Sequence, residues 1–234
     1  MSKRPVCVVV GVGPGNGAAF ARRFDREGYS LALLARTEEL GRELAGTLTQ
    51  ARAWACDVGD AAAVQRVFDA IRAELGEPEV VLFNAGSGTF GTFDDVTAAD
   101  FEASWRVNTL GAFLVAKQVV PAMKRAGRGS FLIIGATASR RGGAKAAAFA
   151  PAKAAQRSLA ESLARHLWPA GIHVALIVID GVVDLPRTRA RMPDKPDAFF
   201  VAPDDVAATA AFLASQPRSA WTFELEARPF GETW

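Results

Sequence analysis

The sequence predicts an α/β protein: one doubly wound, Rossmann-like domain whose parallel sheet of about seven strands has helices on both faces. Apolar, β-branched runs alternate with segments of helical periodicity along the whole chain. The runs are almost continuously apolar, as is typical of parallel strands buried on both faces. The first run, residues 8–10, ends in a cluster of glycines that a helical pattern follows at once.

The predicted elements follow one another without a linker or an internal repeat. After the first strand and helix, residues 30–35 form a buried strand. Thr37 then caps a helix whose first turn carries Glu38 and Glu39, as the helix dipole prefers. The remaining predicted strands are 51–56, 80–83, 130–134, 172–179 and 220–225, and the remaining helices are 61–75, 98–124 (interrupted near Asn108 and Gly111), 151–167 and 204–215.

The clearest motif is the glycine cluster, with the spacing Gly11-x3-Gly15-x-Gly17. A Gly-x-Gly-x-x-Gly spacing from Gly11 would need glycine at position 16, where the chain has Asn16. Glycines let the backbone approach a ligand closely, and the start of the next helix offers unpaired N–H groups and a partial positive charge. A pyrophosphate suits such a place. The alternative is a plain strand–helix turn with surplus glycine.

Polar residues follow other predicted strands as well. Asp57 follows the third strand, Asn84 the fourth and Asp180 the sixth. In doubly wound sheets, ligands bind outside the carboxyl ends of the strands, so these residues fall on the same rim as the glycine cluster. Two alternatives stay open: Asp57 caps the next helix, or Asn84-Ala85-Gly86 is only a turn.

Composition argues against several classes of partner. The chain has 234 residues, 50% of them hydrophobic, with a net charge of +2 and no basic tract, which argues against nucleic acid and anionic membranes. No apolar run approaches the roughly 18 residues of a membrane span. Cys7 and Cys56 lack metal-ligand spacing and suggest a reducing compartment. We therefore expect a cytoplasmic protein with no metal, nucleic-acid or membrane partner.

On five motifs in order, the chain resembles the short-chain dehydrogenase/reductase family over essentially its whole length. The motifs are Gly11-x3-Gly15-x-Gly17, Asp57-Val58, Asn84-Ala85-Gly86, Val107-Asn108-Thr109-x-Gly111-x-Phe113 and Lys153. The resemblance implies a single domain over 1–234, with a nucleotide-binding half at about 1–110 and a substrate and oligomer half at about 111–234. It also implies a homodimer or homotetramer.

By this resemblance, the glycine cluster lines the pyrophosphate of a nicotinamide cofactor. Asp57 and Val58 meet its adenine, and the segment from Asn84 through Ala85 to Gly86 flanks its ribose, which Lys153 holds. The full set of implied cofactor-binding residues is Gly11, Gly15, Asn16, Gly17, Arg36, Asp57, Val58, Asn84, Ala85, Gly86, Lys153, Gly181 and Val183. Leu185 stands where the family has a threonine for the nicotinamide amide, and residues 184–200 fall where it keeps a mobile substrate lid.

The end of the second strand indicates which nicotinamide cofactor is preferred. A carboxylate there would bind a ribose 2′-OH and repel a 2′-phosphate. The chain instead has Ala35 followed by Arg36, whose guanidinium can pair with a phosphate bidentately. NADP(H) is therefore predicted over NAD(H). The alternative is an exposed arginine with no partner.

The predicted catalytic half departs from the family pattern. The family has a tyrosine four residues before the lysine and a serine thirteen residues before that tyrosine. Counting from Lys153 places Phe149 at the tyrosine position and Ala136 at the serine position, while Asn108 and Lys153 remain as catalytic candidates. The chain thus resembles a divergent subgroup in which phenylalanine replaces the tyrosine beside a retained lysine.

Three other groups are candidates for the missing acid or hydroxyl. Thr137 and Ser139 lie near the empty serine position, and an apolar wall such as Phe149 would lower the pKa of Lys153. For each of them a purely structural role is the alternative. Asp180 and Asp184 on the rim have surface or capping roles as alternatives.

Two hypotheses of function follow. The first is an atypical NADP(H)-dependent oxidoreductase for a small carbonyl or enone of unknown identity, with the proton coming from Lys153, water or the substrate. The second is a catalytically silent NADP(H)-binding regulatory or scaffold protein. A conjugated C=C acceptor suits the site better than a ketone because it needs less help from an acid.

Overall fold

Seven parallel strands form the central sheet in a computed structural model that describes residues 4–232. The strands of this sheet are β1 (Val6–Val10), β2 (Ser30–Ala35), β3 (Ala51–Ala55), β4 (Pro78–Phe83), β5 (Gly129–Ala136), β6 (Ile172–Ile179) and β9 (Glu224–Ala227). Two further short strands, β7 (Val182–Val183) and β8 (Phe200–Val201), pair only with each other. The sheet order is β3-β2-β1-β4-β5-β6-β9. The doubly wound, seven-stranded fold predicted from the sequence is confirmed. The domain predicted over 1–234 includes positions 1–3 and 233–234, which lie outside the described residues.

Helices cover both faces of this sheet. They are α1 (Asn16–Arg26), α2 (Glu39–Ala45), α3 (Ala61–Glu74), α4 (Ala98–Trp105), α5 (Gly111–Ala126), α6 (Phe149–Leu167), α7 (Pro186–Arg191) and α8 (Pro203–Ser215). One core lies between the sheet and α3, α5 and α6, and the other lies between the sheet and α1, α2 and α8. Successive side chains of a strand point to opposite faces, so Val6, Val8 and Val10 join the first core and Cys7 and Val9 the second. None of the helices within residues 4–232 is long and apolar enough to cross a membrane.

The order of the strands in the sheet reverses direction at β1. Strand β1 has β2 on one side and β4 on the other, so the loops after β1 and β4 diverge to opposite faces of the sheet. Such a switch point leaves a crevice at the carboxyl ends of the strands. The glycine cluster and Asn84 follow β1 and β4 directly and therefore lie at this crevice.

Some predicted boundaries differ from the structure. The last strand runs over Glu224–Ala227 rather than 220–225, because the Trp221 indole N–H donates to the Gln216 carbonyl (3.1 Å) and keeps that residue in the preceding loop. Thr37 does not cap α2: its hydroxyl bonds the Glu39 carboxylate instead. The interruption expected near Asn108 is a single π-helical turn, Arg106–Leu110, that joins α4 to α5. Such turns occur frequently at functional sites.

The Gly11→Ala substitution should destabilise the fold by about 2–5 kcal/mol. Gly11 has a φ of +93°, and a Cβ there would lie 2.4 Å from the Ala85 backbone nitrogen. Gly13→Ala is the matched control, because a Cβ on Gly13 meets no atom within 4 Å. Urea unfolding of both variants measures the difference. Equal stability of the two variants would contradict the account of this turn.

Candidate functional site

A cleft of about 670 Å³ opens at the switch point, along the carboxyl ends of the first four strands. It is lined by residues 11–17, 34–36, 56–58, 84–87, 107, 183 and 185–188. These segments come from four strand ends, the π turn and the region around β7 and α7. The cleft therefore brings together most residues of the predicted cofactor site.

The glycine turn after β1 is held by the loop after β4. The Asn84 side-chain amide donates to the Gly11 carbonyl oxygen over 2.7 Å. A Cβ on Gly17 would lie 2.6 Å from the same oxygen, so only glycine allows α1 to start this close to the turn. No side chain caps the N-terminus of α1. Its first N–H groups and the positive end of its dipole are available to an anion in the cleft.

Asn16 lies in the cleft wall at the first position of α1. Its side-chain oxygen Oδ1 is buried and has no hydrogen-bond partner among the described residues. A buried acceptor without a partner is costly, and a donor on a bound ligand would satisfy it.

The next two strand ends supply a cation and an acid. Arg36, after β2, is exposed at the cleft edge and makes no ion pair within residues 4–232. Asp57, after β3, accepts the backbone N–H of Gly59 (2.9 Å), whereas Asp60 caps α3. The alternative in which Asp57 caps the next helix is therefore wrong. Val58 packs on Gly111, where a Cβ would lie 2.8 Å from Val58 Cγ2.

Lys153 and Asn108 lie behind the cleft wall rather than in it. Lys153 is only 4% exposed, and its ammonium donates to the Ile134 carbonyl and to the Gln156 side-chain oxygen, each over 3.0 Å. Burial lowers the pKa of Lys153 from 10.5 to about 8. Gln156 in turn donates to the Asn108 backbone carbonyl (2.8 Å). Sequence reasoning missed Gln156, although its position three residues after Lys153 on the same helix could have indicated it.

The Asn108 side chain is directed at the loop after β4. Its amide nitrogen donates to the carbonyls of Ser87 (2.6 Å) and Ser104 (2.8 Å), while its oxygen Oδ1 is buried without a partner among the described residues. A Cβ placed on Gly86 would lie 3.4 Å from this oxygen and 3.7 Å from Lys153 Nζ. Asn108 Oδ1 and Lys153 Nζ therefore lie directly behind Gly86, which separates them from the cleft.

The position predicted for the family's tyrosine holds Phe149, whose ring has no proton to transfer. Phe149 packs on Phe90 with ring centroids 5.0 Å apart, and Lys153 Nζ lies 5.9 Å from the Phe149 centroid. A Cβ on Gly88 would lie 2.6 Å from the Phe149 ring, so the ring fills the space beside that loop. Apolar surface therefore replaces an acid at this point.

Of the two hydroxyl groups near Ala136, that of Thr137 is bonded away from the cleft. Ala136 ends β5, and the next residue, Thr137, donates its hydroxyl to the Asp180 carboxylate. Asp180 is buried and also pairs with Arg228. Ser139 is buried, and its hydroxyl oxygen has no partner among the described residues. Thr137 and Asp180 are thus engaged with each other rather than with the cleft.

The segment after β6 closes one side of the cleft. Val183 and Leu185 line it, whereas Gly181 does not and instead packs against Pro229. The Leu185 side chain reaches the glycine turn, since a Cβ on Gly15 would lie 2.4 Å from Leu185 Cδ2. Of the predicted cofactor-binding residues, Lys153 and Gly181 lie outside the cleft lining, and so do Asn108, Ala136 and Phe149 of the predicted catalytic positions.

Comparisons with known proteins agree with this geometry. Residues 5–195 match the family model described as short chain dehydrogenase. The chain is 32% identical over 220 residues to the 3-oxoacyl-[acyl-carrier-protein] reductase MabA of Mycobacterium tuberculosis, covering 91% of this chain and 86% of MabA. A metagenomic short-chain oxidoreductase in complex with NADP superposes with a TM-score of 0.83 at 28% identity, covering 97% and 98% of the two chains. An alcohol dehydrogenase from Thermococcus sibiricus complexed with 5-hydroxy-NADP gives a TM-score of 0.87 at 25% identity, covering 98% of each.

The stability of the protein should depend on pH through Lys153. Its pKa is about 8 when folded and about 10.5 when unfolded, so between these values the unfolded chain binds more protons and stability rises with pH. The free energy of unfolding, relative to that of Lys153→Met, should rise by about 2 kcal/mol from pH 7.5 to 9.5. Urea unfolding at both pH values measures it. Lys145→Met, which removes an exposed lysine, is the control, and a pH-independent difference for Lys153→Met would refute the prediction.

Proposed function

The chain belongs to the short-chain dehydrogenase family, and we propose that it is an atypical NADP(H)-dependent oxidoreductase acting on a small carbonyl or enone substrate. One observation carries the proposal. A cleft with a glycine turn, an uncapped helix start and Arg36 lies near Phe149, the residue at the position predicted for the proton-donating tyrosine.

The residues of the cleft suit a nicotinamide cofactor. Gly11 and Gly17 let the turn pack tightly against the backbone of Ala85 and Val12, and the uncapped start of α1 beside this turn offers N–H groups to a pyrophosphate. The unpartnered oxygen of Asn16 offers an acceptor to a bound ligand, and Asp57 and Val58 flank the position proposed for the adenine. Arg36 is placed to pair with a 2′-phosphate, which supports a preference for NADP(H). The cofactor, when bound, supplies or accepts a hydride.

On the substrate side of the cleft, the residues are better suited to positioning a substrate and excluding water than to transferring a proton. Phe149 and Phe90 pack together beside the loop after β4, and Lys153 donates to Gln156 behind Gly86 rather than into the cleft. A positioned acid contributes roughly 10²–10⁴-fold to such reactions. Reduction of a conjugated C=C produces an enolate, which needs less assistance from an acid than the alkoxide of a ketone. This favours an enone or another activated acceptor as substrate.

A silent NADP(H)-binding protein is the second candidate function. The observation that favours it is the inward orientation of Lys153, whose ammonium donates to the Ile134 carbonyl and to Gln156 rather than into the cleft. A protein of this kind would bind NADPH without turnover and would change its affinity for a partner protein when it did.

We also propose a homodimer or homotetramer in a reducing compartment such as the cytoplasm. Phe101, Trp105 and Phe113, on α4 and α5, are 41–47% exposed, and an exposed apolar patch of this kind fits a subunit interface. Both cysteines are free and buried, and burial raises the pKa of each thiol, which keeps them unreactive. The division into a nucleotide half up to about residue 110 and a substrate half after it remains part of the same proposal.

Two substitutions at the end of β2 test the cofactor preference. Arg36→Gln should lower the affinity for NADPH by about tenfold and leave the affinity for NADH unchanged, because it removes a charge-assisted pair with the 2′-phosphate. Ala35→Asp should move the preference to NADH, because a carboxylate binds the 2′-OH and repels a phosphate. Nicotinamide fluorescence titrations measure both affinities. Equal losses for both cofactors in Arg36→Gln would contradict the assignment.

A substrate panel tests the reaction. With NADPH, the protein should reduce activated enones and reduce matched ketones at least about 100-fold more slowly. The double variant Phe149→Tyr/Ala136→Ser should raise the ketone rate selectively, since it restores the hydroxyl groups of the family pattern. NADPH oxidation at 340 nm measures the rates. Absence of turnover with every enone and ketone would favour the silent NADP(H)-binding function.

A further inference from the structure

We propose that Arg187, on α7, clamps the cofactor pyrophosphate from the side opposite the glycine turn. The inference rests on the proposed function, because it assigns a further residue to the same nucleotide cleft. It differs from the assignment of Arg36, which is placed to contact a phosphate that only NADP(H) carries. Arg187 would contact phosphates common to NADP(H) and NAD(H).

The placement of α7 brings Arg187 over the phosphate site. Arg187 lines the cleft together with the glycine turn, and Leu185, two residues before it, touches Gly15. The start of α1 lies directly beneath this contact, since Gly15 precedes Asn16, the first residue of α1. An arginine side chain at position 187 therefore lies within reach of an anion held at the start of α1.

The charge of Arg187 is available to a ligand. The side chain is exposed, and no ion pair within residues 4–232 involves it. The neighbouring Arg189, by contrast, is already paired within the protein. It makes a bidentate pair with Asp184 (2.7 and 2.8 Å), forms an ion pair with Asp197 and lies 4.1 Å above the Phe200 ring. Of these two arginines on α7, only Arg187 faces the cleft.

The backbone that carries Arg187 is held in place. The Thr188 hydroxyl accepts the Leu185 N–H (3.0 Å) and donates to the Val183 carbonyl (2.7 Å). The Asp184 N–H donates to the Val201 carbonyl over 2.9 Å, which joins this segment to β8. Together with the Arg189 contacts, these bonds fix α7 before any ligand binds. A preorganised cation loses less conformational entropy when it pairs with an anion.

The charges of the cleft favour two separate phosphate contacts. Its lining contains two arginines, Arg36 and Arg187, and one carboxylate, Asp57. Arg36 follows β2, at the end where the 2′-phosphate is proposed, whereas Arg187 lies on α7, next to the Leu185–Gly15 contact. The Leu185 side chain offers no hydrogen bond at the position where the family has threonine, whereas the Arg187 guanidinium can donate to a phosphate from this side. Guanidinium groups pair with phosphate oxygens bidentately.

The test compares Arg187→Gln with Arg191→Gln, an exposed arginine on the same helix that does not line the cleft. Calorimetric titration with NADPH and with NADH at two salt concentrations measures each affinity. Arg187→Gln should weaken both cofactors by about tenfold and reduce the salt dependence of binding, while Arg191→Gln should match the unmodified protein.

Three other results would overturn the assignment of Arg187 to the pyrophosphate. Unchanged affinity in Arg187→Gln, or a loss confined to NADPH, would overturn the pyrophosphate assignment and leave the proposed function intact. An equal loss in Arg191→Gln would overturn it as well, because the effect would then come from the general charge of α7. If the unmodified protein binds neither cofactor, the proposed function fails, and this inference fails with it.

Discussion

The close approach between the turn after β1 and the loop after β4 is the contact on which the site depends. The Gly11 backbone lies against Ala85, and the Asn84 amide holds the Gly11 carbonyl oxygen. This contact fixes the start of α1 at the edge of the sheet and leaves its N–H groups directed at the cleft. It is possible only because residue 11 has no Cβ and adopts a positive φ. The cleft, the α7 segment and Arg36 all lie around the helix start that this contact positions.

The predicted catalytic positions beside the same crevice lack an obvious proton donor. Phe149, at the position predicted for the family's tyrosine, has no proton to donate, and Lys153 beside it belongs to a buried network with Gln156 and the Ile134 carbonyl. Burial keeps the pKa of Lys153 near 8 and holds its ammonium behind Gly86. A site built in this way can orient a cofactor and an apolar substrate by proximity, which is itself a large part of catalysis. Acid assistance to a ketone oxygen is the part that the arrangement lacks.

Much of this could be predicted from the sequence, because the relevant signals are local. Buried strands, the glycine turn and the residues that end each strand depend on short patterns, and the sheet then brings the strand ends together. The orientation of Lys153 could not be predicted, since it depends on Gln156 and on a carbonyl of β5 nineteen residues away. The same holds for Thr137, whose hydroxyl is taken by Asp180 from the next strand. The predicted cap at Thr37 was wrong because that side chain bonds a nearby carboxylate instead of the helix N–H groups.

Titration of the unmodified protein with NADPH tests the central claim, that the nucleotide cleft is functional, most directly. Quenching or enhancement of nicotinamide fluorescence, with calorimetry for stoichiometry, reports binding without any assumption about the substrate. The account predicts one NADPH bound per chain and weaker binding of NADH. If neither cofactor binds, the account is contradicted, because the glycine turn, the uncapped start of α1 and Arg36 would then not form a nicotinamide-cofactor site.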